Sequence, residues 1–197
     1  MRFFVLIPLG FTTVALFLPQ GQQQEVRMDD SAKYLENQDI YKAFNVSKYH
    51  WLFGFDYISP HTKNKSCVFF DIEDLSEEGM NYSSNFIKNQ SRGQIEYTGT
   101  FCSTNEREGV KRLYFDALFA TLRNGSWPMY YTLGFSDYMG CSIFHVENMT
   151  RGCMVLLSDS VGNGEMSSNC TEVYKNICRQ NITHQVYNKS CEIPIKK

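Results

Sequence analysis

From residue 49 onward, the large apolar side chains recur at every second position. Trp51, Phe53, Phe55 and Tyr57 fall on one parity, and Leu52, Gly54, Asp56 and Ile58 on the other. A period of two is the signature of a strand with two distinct faces. A polar turn over residues 60–65 precedes a second predicted strand, 67–72 (CVFFDI). Residues 81–87 and 94–102 carry weaker alternation. The stretch 113–122 (LYFDALFATL) is long enough to pass for a helix, but its aromatic content and its flanking strands place it in the β class. Asn124-Gly125 is a hairpin signal, and strands over 129–135, 141–146 and 153–157 follow. About eight short strands with hairpin-length links predict an up-and-down barrel or a sandwich.

The pattern changes at both ends. Tyr34, Leu35, Ile40, Tyr41 and Phe44 are spaced loosely as on a helix within residues 29–46. Near the other end, residues 169–180 open on Asn169 with Glu172 three positions later, a capping-box-like start. Val173, Ile177 and Cys178 then share one helical face. The first residues have a different character. Met1-Arg2 leads into an apolar run over residues 3–18, broken by Pro19-Gln20-Gly21. That order predicts a secretory signal peptide over about residues 1–22 and a single domain over 23–197. The run is shorter than the roughly 20 residues that span a bilayer as a helix, and no later segment is apolar enough to do so.

Composition narrows the function. The formal net charge is −2 and no basic stripe is present, which argues against nucleic acid as a partner. Seven cysteines occur, none as C-x-x-C, so a disulfide framework in an extracellular, oxidising setting is expected. The odd count leaves one cysteine over. Asn-x-Ser/Thr sequons stand at Asn45, Asn64, Asn81, Asn89, Asn124, Asn148, Asn169, Asn181 and Asn188. With fourteen Asn in the chain, chance gives about two. A heavily N-glycosylated protein is expected, with Asn169 the least suited site because Cys170 lies inside its sequon. No G-x-S-x-G, H-E-x-x-H or glycine-rich phosphate loop is present. The four histidines lack metal-ligand spacing, and His145 with Glu147 reads as a surface pair rather than an acid–base couple. Neither enzymatic activity, nor a metal, nor a cofactor is expected.

The order of elements, the Tyr41-Lys42-Ala43-Phe44-Asn45 segment, the aromatic first strand and the placement of Cys67, Cys141, Cys170 and Cys191 resemble the tick salivary lipocalins, the histamine-binding protein family. The likeness covers nearly the whole mature chain, and within the family it is nearest to the glycosylated, immunomodulatory japanin-like members. The resemblance implies a mainly β fold: an eight-stranded antiparallel up-and-down barrel with a short N-terminal helix and a C-terminal helix packed outside. It implies a monomer, and bridges Cys67–Cys191 and Cys141–Cys170. A third bridge is left undecided among Cys102, Cys153 and Cys178.

Such a barrel holds one small ligand. Members that capture histamine or serotonin need carboxylates inside, because an unpaired buried charge is costly. Residues 129–135, 141–146 and 153–157 contain none. Asp116 falls within a predicted strand, whereas Asp56, Asp71, Glu73, Glu96, Asp137 and Glu147 fall mostly on the alternate phase or at strand ends. If Phe53, Phe55 and Tyr57 point inward, Asp56 points outward. If Cys67 faces out to meet the tail, so does Asp71, and Val68, Phe70 and Ile72 face in. A one-residue bulge would invert such an assignment. The expected lining is Phe53, Phe55, Phe70, Ile72, Phe115, Tyr131, Leu133, Phe135 and Phe144. An apolar, aromatic interior suits a sterol or fatty acid, and the japanin-like resemblance implies cholesterol and modulation of host immune cells such as dendritic cells. The alternatives are capture of histamine or serotonin, or a surface-acting binder of a host immune protein or cell working through loops such as residues 158–168.

Overall fold

The structure is a computed structural model that describes residues 32–59, 62–104, 111–147, 149, 152–161, 164–178 and 181–193. The predicted signal segment, residues 1–22, lies outside the described residues. Strands β1 (Tyr49–Phe55), β2 (Ser66–Ser76), β3 (Gly79–Lys88), β4 (Ser91–Cys102), β5 (Ala117–Leu122), β6 (Met129–Ser136), β7 (Cys141–Val146) and β8 (Gly152–Ser158) run in chain order. Each pairs antiparallel with the next, and β1 pairs with both β2 and β8, so the sheet closes on itself. Closure removes the exposed edges of an open sheet. A two-residue strand, β9 (His184–Gln185), adds to β1 near Phe55.

Local chemistry explains several boundaries. Lys88 pairs with Ser91 across a two-residue turn, and both Asn89 and Gln90 have positive φ, the geometry that matches strand twist in tight hairpins. β5 begins at Ala117, not at the predicted residue 113. The cause is Asp116, a buried carboxylate that needs partners. It accepts the Thr104 backbone N–H (2.7 Å) and hydroxyl (2.6 Å) and pairs with Arg112 at 3.1 Å. Leu113, Tyr114 and Phe115 are left exposed in the connection.

A 3-10 turn (Ala32–Asn37) and the short helix α1 (Ile40–Phe44) precede the barrel. α1 is capped by Asp39, whose carboxylate accepts the Lys42 N–H. The C-terminal helix α2 (Ser168–Ile177) is capped by Ser167, whose hydroxyl accepts the Cys170 N–H, so the Asn169 cap expected from the sequence is corrected. α2 buries Cys170, Val173, Tyr174 and Ile177 on the outer surface of the barrel, in one cluster with Ile143, Val155 and Leu157. A Cβ added at Gly134 would lie 2.8 Å from Ile177 Cδ1, so glycine there permits the close approach of the helix.

Bridges Cys67–Cys191 and Cys141–Cys170 are both formed, and the third is Cys153–Cys178. Cys102 is the free thiol. The latter two bridges fasten opposite ends of α2 to strands β7 and β8.

Candidate ligand-binding site

The barrel interior changes character from one end to the other. At the base, where the β2–β3, β4–β5 and β6–β7 connections lie, Ile40 and Phe44 of α1 join the interior cluster. Phe44 stacks on Phe101 (6.2 Å between ring centroids) and on Phe144 (5.6 Å), and meets His50 edge-on at 5.5 Å. The His50 Nε2 lies 3.2 Å from the Phe44 carbonyl and 2.9 Å from that of Ser47. Burial holds the His50 pKa below the ordinary histidine value. Met80, Leu118, Leu133 and Leu156 fill the middle.

The opposite end is the mouth, bounded by the β1–β2, β3–β4, β5–β6 and β7–β8 connections. A cavity of about 60 Å³ opens there among Tyr57, Lys65, Phe70, Tyr82, Tyr97, Trp127, Met129, Tyr131 and Met154. A void of about 20 Å³ deeper in the barrel shares Phe70, Tyr82, Tyr131 and Met154 with it. Tyr82 stacks on its cross-strand partner Tyr97 at 5.1 Å, with Phe70 edge-on to Tyr82 at 5.7 Å. The Tyr57 hydroxyl donates to Met154 Sδ at 3.9 Å. The hydroxyls of Tyr82, Tyr97 and Tyr131 make no hydrogen bond among the described residues. Burial raises all four phenol pKa values, and for Tyr82 and Tyr131 neighbouring phenols add to it, so these groups stay protonated and can donate.

Among the described residues, Lys65 is the one cation of the lining and no carboxylate lines the cavity. Its Nζ sits 3.7 Å from the centre of the Phe86 ring, and burial, then Lys88, lowers its pKa. The barrel's acids turn elsewhere. Asp71 lies on the outward parity of β2, 3.4 Å from Lys48. Asp56 accepts the Cys153 N–H at 2.6 Å and the Tyr174 hydroxyl at 3.4 Å, and burial raises its pKa. His145 Nδ1 lies 3.6 Å from Cys153 Sγ, while Glu147 accepts the Thr132 hydroxyl at 3.4 Å. No group of side chains able to hold a metal ion occurs among the described residues.

Of the residues expected to line the interior, Phe55, Phe70, Ile72, Tyr131, Leu133 and Phe144 belong to the inner cluster. Phe53 and Phe135 do not; both lie in the outer cluster that packs under α2. The reason is a bulge in each strand: the register shifts between Leu52 and Gly54, and again between Leu133 and Phe135. One extra residue sends the next side chain to the opposite face. Phe115 is also corrected. It is 43% exposed and borders a cleft of about 420 Å³ at the base, with Asp39, Tyr41, Glu77, Ser103, Arg112, Leu113 and Tyr114. Sequence reasoning missed Lys65, Tyr82, Tyr97, Trp127, Met129 and Met154. The alternation in 81–87 and 94–102 could have yielded the two tyrosines; a loop lysine reaching back over the mouth left no periodic signal.

The sequons are unevenly placed. Asn64, Asn89 and Asn124 are exposed and sit in three of the connections at the mouth. The β2–β3, β4–β5 and β6–β7 connections at the base contain no sequon. Asn45, Asn169, Asn181 and Asn188 are also exposed, and Asn148 lies outside the described residues. Asn81 is partly buried and already engaged: its amide donates to Asp74 (3.2 Å) and accepts from Thr98 (3.1 Å).

No helix among the described residues is long and apolar enough to cross a membrane. The sequence pattern of the family described as tick histamine binding protein matches residues 28–193. No curated protein matches the sequence. Among solved structures, the chain is similar to AM182 in its serotonin complex, at 18% identity, TM-score 0.53, covering 77% of this chain and 91% of that one. It is similar to japanin from Rhipicephalus appendiculatus bound to cholesterol, at 12% identity, TM-score 0.53, covering 76% and 98%. The siderocalin Ex-FABP aligns at 12% identity, TM-score 0.50, covering 76% and 99%. At these identities the likeness shows the lipocalin fold and no more.

Proposed function

The chain belongs to the tick histamine-binding protein family, and from that premise we propose that it is a secreted, N-glycosylated carrier that takes a small, largely apolar ligand with one oxygen-bearing end into its barrel. The ligand class is a sterol such as cholesterol or a fatty acid, and its capture or delivery in host tissue modulates host immune or inflammatory responses. The single observation behind this reading is the trio of Tyr82, Tyr97 and Tyr131 hydroxyls, which find no protein partner among the described residues. Buried phenols in a finished core are almost always paired. Here they face a cavity whose other walls combine aromatic rings, methionines, Leu52 and Val68 with the polar Ser59, Thr62, Lys65 and Ser84, so an oxygen-bearing end of a ligand supplies the missing partners.

The unliganded cavity of about 60 Å³ is far smaller than the roughly 300–1,000 Å³ of ligand pockets. Uptake therefore displaces side chains. Met129 and Met154 are suited to this, since methionine repacks easily, and Trp127 at the rim is half exposed. Such coupling slows association relative to a preformed site. Glycans at Asn64, Asn89 and Asn124 would surround the mouth, admitting small molecules while hindering contact with proteins or membranes there.

The test is native mass spectrometry of the chain secreted from eukaryotic cells, with glycopeptide mapping and organic extraction of bound material. We expect about one lipid per chain, and a Tyr82→Phe/Tyr131→Phe double variant to hold it about thirtyfold more weakly, in line with roughly 1 kcal/mol for each of two hydrogen bonds. An empty barrel that takes up neither cholesterol nor a fatty acid when offered them overturns the carrier reading. A second reading, amine capture, rests on the base cleft, where Asp39 and Glu77 lie with Tyr41, Tyr114 and Phe115. Serotonin and histamine are the amines to titrate by calorimetry; saturable binding lost in Glu77→Gln would establish it.

A further inference from the structure

We infer that Lys65 and the mouth phenols form a carboxylate site, so that within the carrier reading, on which this rests, the preferred ligand is a long-chain carboxylate with its head at the mouth and its chain in the barrel. Lys65 is positioned by a turn in which its backbone N–H donates to the Thr62 carbonyl at 3.0 Å. From there the side chain is half-buried, with its ammonium on the face of Phe86 rather than on any acid among the described residues. Among the described residues, the titratable groups around it are Lys88 and the tyrosines at 57, 82, 97 and 131. A lysine partly withdrawn from water, close to a second lysine and with no anion among the described residues of the lining, is a charge that an anionic ligand would neutralise.

The second observation is independent of charge. Tyr82 is 5% exposed, and its hydroxyl borders the cavity without a partner among the described residues. A neutral phenol and an ammonium both donate, and a carboxylate accepts from several donors at once. A sterol hydroxyl uses the phenols but gains nothing from the cation, and a protonated amine is repelled by it. Of the ligand classes this interior admits, only the carboxylate uses both features.

The experiment compares palmitate, methyl palmitate and cholesterol on the delipidated, full-length secreted protein, in wild type, Lys65→Met and Lys65→Arg. Both substitutions leave the Asn-x-Ser sequon at Asn64 intact. In wild type, palmitate should bind at least about tenfold more tightly than its ester, the size of one charge-assisted hydrogen bond. In Lys65→Met that advantage should vanish while ester binding stays, which also shows that the variant is folded; Lys65→Arg should restore it. Equal binding of acid and ester in wild type, an unchanged preference in Lys65→Met, or uptake of cholesterol alone overturns the carboxylate site and leaves the carrier reading standing. Uptake of none of the three overturns both.

Discussion

At the base of the barrel, Phe44 is clasped by Phe101, Phe144 and His50, and a buried charge pair, Arg112 with Asp116, is tied to Thr104. At the mouth, among the described residues, three phenols stand without hydrogen bonds, Met129 and Met154 join the lining, and a lysine faces no acid. Both ends are aromatic, so composition does not separate them. The difference lies in where named groups find partners: at the base His50, Thr104 and Asp116 meet groups of the fold, whereas at the mouth the Tyr82, Tyr97 and Tyr131 hydroxyls meet none among the described residues. A region that stabilises the fold and a region that binds can therefore be told apart by their hydrogen bonds.

The strongest way to break this comparison is to cut into each end and measure stability. Phe144 is fully buried, and Phe144→Ala should cost about 3–5 kcal/mol in urea unfolding. If it costs no more than a substitution at the mouth, the base is not the structural end. The next effect is pH-dependent. Burial depresses the pKa of His50 below its ordinary value of 6.5, so its contribution to stability is present above pH 6.5 and is lost as pH falls toward the depressed value. The slope cannot exceed about 1.4 kcal/mol per pH unit for one proton. Asp56 and Asp116, whose pKa values burial raises, act with the opposite sign: their contribution is largest in acid and falls as pH rises through the raised values. Subtracting unfolding curves of His50→Gln from wild type between pH 7.5 and 5 isolates the histidine. A difference that stays flat would detach His50 from the anchoring of α1.

The smallest effect sharpens the contrast. Tyr97→Phe removes a hydroxyl that has no hydrogen-bond partner among the described residues, so stability should change by less than about 0.5 kcal/mol, within the range of neutral substitutions. Ligand affinity should nevertheless fall several-fold. A large loss of stability instead would mean that the phenol supports the fold.

Much of this was legible in the chain. Period-two alternation exposed strands such as β1 because their two faces meet different surroundings, and that pattern depends only on neighbouring residues; β7 and β8, buried on both faces, read instead as short apolar runs. Phe70 and Ile72 were placed correctly because β2 keeps its phase from Val68 to Ile72. Phe53 and Phe135 were misplaced because each follows or sits at a bulge, and a bulge in a closing barrel is fixed by the partner strands. The two bridges implied by the family likeness formed, but the third had to wait for the position of α2, which brings Cys178 to Cys153 and leaves Cys102 on β4.

The sequence by itself determined the β class, the number and order of strands, the flanking helices and the sequons, since each is written in short-range spacing. Only the tertiary structure decided which aromatics face inward, which acids are neutralised outside the cavity, and that Lys65 and three phenols without hydrogen bonds among the described residues meet at one end. Those properties depend on register shifts and on loops folding back over the mouth, and no local pattern encodes a contact between residues that are neighbours only in space.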